Sequence, residues 1–146
     1  MSTVESFLTP EEEQEIVNAI RTAEKQTSGE IRVHIENYTE IKPVYNRAQE
    51  VFHLLKMNNT KAKNGVILYI ATNQKKFVVY GDKGINDIVG PNFWNATRDS
   101  IQNQFKKEHF KQGIIDGVLQ IGEALKAHFP WKTNDENELS DEISKG

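Results

Sequence analysis

Apolar positions along this chain fall into two rhythms. Gly65-Val66-Ile67-Leu68-Tyr69-Ile70-Ala71 contains no charged residue and no polar alternation. Such a run predicts a strand in the middle of a sheet that is covered on both faces. Phe77-Val78-Val79-Tyr80 follows after a link short enough to make the two strands an antiparallel hairpin. Upstream, Glu30-Ile31-Arg32-Val33-His34-Ile35-Glu36 alternates cleanly. That pattern predicts a half-buried strand nearer an edge, with Ile31, Val33 and Ile35 inward and the polar residues on the other face.

The second rhythm is helical. Thr9-Pro10-Glu11-Glu12 predicts a helix start, with Thr9 as N-cap, Pro10 at N1 and Glu12 completing a capping box. Ile16, Ile20 and Ala23 continue it, and Gly29 is placed to stop it as a C′ glycine. Pro43 opens a second helix with Val44, Ala48, Val51, Phe52 and Leu55 inward, ending at Met57-Asn58-Asn59. Pro91 opens a third with Trp94, Thr97, Ile101 and Phe105 inward. A fourth runs through Ile114, Val118, Ile121 and Leu125 and closes near Phe129-Pro130.

The strand–helix–strand order over 30–36, 44–57 and 66–71 is a βαβ unit, so its strands should be parallel with a right-handed crossover. The fold class expected is α/β, a three-layer α/β/α sandwich around a small mixed β-sheet. Residues 1–130 form one domain, and residues 131–146 an acidic, flexible tail. Within that tail Leu139 and Ile143 are four apart, the spacing of a short amphipathic docking helix.

Composition narrows the function classes. A chain of 146 residues is long enough for one domain with a substantial core. It has no cysteine, which excludes disulfides and thiolate metal sites. The start, Met1-Ser2-Thr3-Val4-Glu5-Ser6-Phe7-Leu8, has neither the basic nor the apolar region of a signal peptide, and no stretch has membrane-spanning length. A soluble cytoplasmic protein without membrane insertion is expected. The net charge of −3 resides in the tail: residues 130–146 hold five acids and two lysines, and the rest is balanced. A balanced domain offers no nucleic-acid footprint.

Candidate chemistry is sparse. No two of His34, His53, His109 and His128 have metal-ligand spacing, and no serine lies in a Gly-x-Ser-x-Gly elbow. His34 shares a strand face with Glu30, Arg32 and Glu36, a set able to bind an anion or run acid–base chemistry, or to stand as a cross-paired solvent face. Gly81-Asp82-Lys83-Gly84 turns a strand into helix. Two glycines there could point backbone N–H groups at a phosphate, or simply supply positive φ in a tight connection. The Walker and Rossmann patterns are both absent.

Taken in order, Ser28-Gly29-Glu30-Ile31-Arg32-Val33, then Asn64 to Ala71, then Phe77 to Ile85, Phe105 and Phe110-x-x-Gly113, resemble the signature blocks of the TPM domain family, also called the TPM-phosphatase domain. The resemblance spans about residues 8–128. It implies an α/β/α sandwich, a divalent-metal site and, in some relatives, acid-phosphatase activity. This chain departs from the family pattern where the acids should be. Asn73-Gln74-Lys75 stands where the family has Asp-Asp-Arg, Gly81-Asp82-Lys83-Gly84-Ile85-Asn86 where it has Gly-x-Gly-x-Glu, and Asn92 lies near the later acid. Amides bring no charge to a cation.

The expectation is therefore a binding or interaction module with a degenerate metal site, working through loops 38–43, 58–64, 72–76 and 81–92 toward a protein partner. Its ligand-binding residues would be Asn64, Asn73, Lys75, Gly81, Lys83 and Gly84, and its metal residues Asp82, Asp87 and Glu30, for Ca²⁺ or Mg²⁺. The rival expectation is a divalent-metal-dependent acid phosphatase using those three acids, with Lys75 or Lys83 holding the phosphate. A third is a Ca²⁺ sensor without catalysis.

Overall fold

The computed structural model describes residues 7–60, 62–90, 92–131 and 143–145. Helix α1 (Pro10–Glu24) starts as its sequence dictates: Thr9 and Glu12 form a reciprocal capping box behind Pro10. Strand β1 (Glu30–Glu36), helix α2 (Val44–Leu54) and strand β2 (Gly65–Ala71) form the βαβ unit, with β1 and β2 parallel in register from Glu30↔Gly65 to Glu36↔Ala71. Strand β3 (Lys76–Gly81) returns antiparallel to β2, from Ala71↔Lys76 to Val66↔Gly81. A short helix α3 (Lys83–Asn86) leads to the long helices α4 (Asn95–Lys106) and α5 (Phe110–His128). Ser144–Lys145 form β4, which lies parallel to β1 and gives the sheet order β3-β2-β1-β4.

The two faces of this mixed sheet are unequally covered. Ile31, Val33, Ile35, Val66, Leu68 and Val79 meet Ile16 and Ile20 of α1, Ile101 of α4, and Ile114, Val118 and Ile121 of α5. Ile67, Tyr69 and Ala71 meet α2 through Val44, Ala48, Val51 and Phe52. The three-helix layer is tight because α5 carries glycine at its crossings. A Cβ on Gly117 would lie 2.6 Å from Ile101, and one on Gly122 would lie 2.6 Å from Ala23.

Several local expectations are corrected. β1 is no half-exposed strand: Glu30, His34 and Glu36 are buried at 2%, 5% and 4% exposure. α2 lies over that face, and β4 lies along the outer edge. Gly29 does not stop α1, which ends with Lys25 in right-handed conformation. No described glycine has positive φ; Lys56, Lys63, Lys75 and Glu108 do. Gly81 and Gly84 therefore do not supply positive φ, and Gly84 is needed for space, since an added Cβ would sit 2.1 Å from the Ala62 carbonyl. α2 ends at Leu54, and Met57 folds back under it with its N–H on the Phe52 carbonyl. α4 begins at Asn95; Pro91 lies outside the described residues, as does Leu139. Ile143 leads into a strand rather than a helix.

Candidate functional site

The hairpin decides which candidate residues can meet. Asn73 and Lys75 lie in the β2–β3 turn, beside the C-terminal end of β1. Gly81, Asp82, Lys83, Gly84 and Asp87 lie at the far end of β3, with Asn64 and Glu30. Six strand residues at roughly 3.3 Å each separate the two groups by about 20 Å. One site cannot hold both.

At the turn end, Asn73 and Lys75 are exposed, and Lys75 takes a left-handed φ of 55°. The residue that works there is Gln74. Its side chain accepts from the Thr39 N–H and donates to the Thr39 carbonyl, both at 3.0 Å, which straps loop 37–39 to the turn.

At the other end, Asp82 is the N-cap of α3, with Oδ1 accepting from Lys83 N–H at 2.7 Å. Lys83 Nζ reaches Asp87 at 3.0 Å on the surface. Glu30 and Asp82 flank Gly65 on the α2 face, below the end of α2. An added Cβ would lie 3.1 Å from the Met57 carbonyl and 3.6 Å from the Phe52 ring. Asn64 Nδ2 donates to Ser28 Oγ at 3.5 Å, and its Oδ1 is buried without a partner among the described residues.

Between these ends, under α2, runs a polar seam. Glu36 accepts from Arg47 through Nε at 2.9 Å and Nη2 at 3.0 Å, from the Tyr69 hydroxyl, and meets His34 Nε2 at 3.1 Å. His34 Nδ1 lies 3.0 Å from Ser144 Oγ. Burial acts to raise the Glu36 carboxyl, but hydrogen bonds from Arg47, Tyr69 and His34 outweigh it and hold it at about 2. Burial pushes His34 below its ordinary value against the pull of Glu36. Burial, then the bond to Glu36, raises the Tyr69 phenol. The Glu36 bond raises Arg47 despite its partial burial. The seam is closed in on itself and serves to fasten α2 and β4 to the sheet.

The open space lies along β3, the uncovered edge of the sheet. A groove of about 570 Å³ is lined by Tyr45, Phe77 to Gly81, Asn86, Val89, Gly90, Trp94 and Arg98. Asp82 N–H points inward to the Gly65 carbonyl. By alternation the N–H and C=O groups of Phe77, Val79 and Gly81 therefore point out to the groove. Asn86 Nδ2 takes the Gly81 carbonyl at 2.9 Å. Trp94 is 6% exposed, and its Nε1 is buried without an acceptor. Arg98 is exposed and pairs with no carboxylate among the described residues.

The TPM domain family model matches residues 2–124. The chain belongs to the TPM domain family. Similar solved structures include the BA42 protein of the psychrophilic bacterium Bizionia argentinensis, at 59% identity over the whole of both chains with a TM-score of 0.92. An N-terminal domain from Corynebacterium glutamicum aligns at 12% identity over 81% of this chain and 74% of that one (TM-score 0.64). One from P. gingivalis aligns at 16% identity over 84% and 79% (TM-score 0.69). The last two share the fold. No curated protein matches.

The divalent cation implied for a TPM domain would have the buried Glu30, Asp82 and Asn64 side chains as its oxygen donors. Among the described residues no three of His, Asp and Glu come together as ligands. Asp87 is engaged by Lys83 at the surface, while Asp82 Oδ2 and Asn64 Oδ1 are buried without hydrogen-bond partners.

What sequence reasoning missed in this TPM domain is Trp94 with Arg98, and the partners of Glu36. Arg47 had a signal. It falls between Val44 and Val51 at helical spacing, on the margin of the buried stripe. Trp94 had none beyond its place in the core, because periodicity reports burial and not whether an indole N–H finds an acceptor.

Proposed function

We propose that this TPM domain is a binding module that takes an extended peptide along the open edge of β3. The reading is carried by one observation, the buried Trp94 Nε1–H left without an acceptor in the wall of the groove. A buried donor without a partner costs about 1–3 kcal/mol, so it calls for an explanation. A peptide carbonyl or carboxylate would provide the acceptor. Phe77 and Val79 offer main-chain pairing, as in strand addition, and Arg98 offers a charge for an anionic end. The amides at residues 73, 74 and 86, where the family resemblance implies acids, favour binding over metal-assisted hydrolysis.

The test is an NMR titration of ¹⁵N-labelled protein with a hexapeptide of alternating Val and Thr bearing a free C-terminal carboxylate. The Trp94 indole signal and the amides of 77–81 should shift saturably. The amidated peptide should bind about ten-fold more weakly. Gly81→Ala places a methyl group 3.5 Å from Trp94 Nε1, an ordinary contact that leaves the fold intact and should abolish the indole shift. Shifts confined to other elements, or an unaltered response in Gly81→Ala, would refute the proposal.

A further inference from the structure

The opposite edge of the sheet carries a separate observation. β2 takes one side of β1 along all seven residues; on the outer side, among the described residues, His34 and Ile35 are matched by Ser144 and Lys145. Each described residue of the docked segment is read by a different contact. Ile143 is half-buried against the core in a notch with Pro10, Gln14 and Val17 of α1. Ser144 Oγ lies 3.0 Å from His34 Nδ1. Lys145 Nζ lies 2.6 Å from Glu13 Oε1.

The edge has one more reader. Two residues back from the hydroxyl position, on the same face, a docked strand would stand opposite Arg32. Arg32 is partly buried, its Nε is buried without an acceptor, and it makes no ion pair among the described residues. In chain order the edge thus calls for an acid, an apolar residue, a hydroxyl and a base. The sequence Glu142-Ile143-Ser144-Lys145 has that order of residue types.

The geometry points to the outer edge of β1 as a receptor for an extended segment of a partner protein, parallel to β1, with the order acidic–apolar–hydroxyl–basic. The chain's own C-terminus is the resident that such a segment displaces. Among the described residues the resident holds the edge by two matched pairs, where an ordinary strand has about five or six residues. An uncovered edge then offers main-chain pairing to the incoming segment.

The experiment uses the full-length ¹⁵N-labelled protein carrying Ile143→Asp, which removes the apolar anchor and leaves Arg32, His34 and Glu13 in place. The amides of 33–36 and 13–17 should move from their wild-type positions. Synthetic acetyl-Asp-Glu-Ile-Ser-Lys-Gly should return them saturably, and the same peptide with Asp for Ile should not. Adding Arg32→Gln should weaken the peptide about ten-fold. Wild-type protein should bind it at least ten-fold more weakly than Ile143→Asp, because the tethered resident competes. Excess peptide should also shift the Lys145 amide of the wild type, a readout that needs no variant. An unmoved 33–36 region in Ile143→Asp, or no saturable response to the peptide, overturns the inference. So does a concentration-dependent wild-type dimer that Ile143→Asp abolishes, since the occupant would then be a second copy's C-terminus.

Discussion

Glu36 gathers Arg47, Tyr69 and His34 around one buried carboxylate, and this fixes how stability follows pH. Its carboxyl titrates at about 2 in the fold against an ordinary 4.5. A carboxyl held below its unfolded value contributes stability above that value and loses it as pH falls through the folded one. The difference is worth about 3 kcal/mol. His34, lowered from 6.5, acts in the same direction at higher pH: protonation below 6.5 favours the unfolded chain. Stability should therefore decline in two stages from pH 6.5 to 2. Urea unfolding should find Glu36→Gln less stable by about 3 kcal/mol at pH 7, with the deficit vanishing near pH 2. A deficit constant with pH would show that Glu36 acts by packing alone. Two glycines three residues apart give a second contrast. Gly84→Ala drives a methyl group into the Ala62 carbonyl and should cost about 3 kcal/mol or more, whereas Gly81→Ala should change the urea midpoint little.

At the scale of elements, the helix α5 shows local preference yielding to packing. Alanine in place of a helical glycine ordinarily gains up to about 1 kcal/mol. Gly122→Ala should instead lower the melting temperature, because its methyl group would overlap Ala23 of α1 at 2.6 Å. The elements legible in the sequence were those whose signals are local. The capping box at Thr9, the apolar run of β2 and the hairpin length each rest on neighbouring residues, and the parallel pairing followed from them. The glycine readings failed because the residues demanding space, such as Leu125 beside Gly29 and Ala62 beside Gly84, come from elsewhere in the fold. β4 was illegible for the same reason. Two residues have no periodicity, and Ser144 becomes a strand residue through its match with His34, which is 110 residues away. Of the groove lining, Gly81, Asn86, Val89 and Gly90 fall in the 81–92 loop singled out in the sequence, whereas Trp94 and Arg98 come from a stretch read as core helix.

For the whole molecule, the sheet ends in two unlike margins. β3 is bare and faces a groove; β1 is partly closed by the chain's own end. Among the described residues no three acidic or histidine side chains cluster, so Ca²⁺ or Mg²⁺ should bind no tighter than about 1 mM. Saturable amide shifts at residues 30, 64–65 and 82 with sub-millimolar metal would contradict this. The unequal layers have a further consequence. Three helices brace one face, while α2 alone walls the other, without a side-chain cap at its start. Amide hydrogen exchange should accordingly resolve two tiers of protection. The α2 amides would open in a partial step that wets the Tyr69 side, while β2 and α5 exchange only when the remainder gives way. Heated or urea-stressed molecules would then come apart one wall at a time.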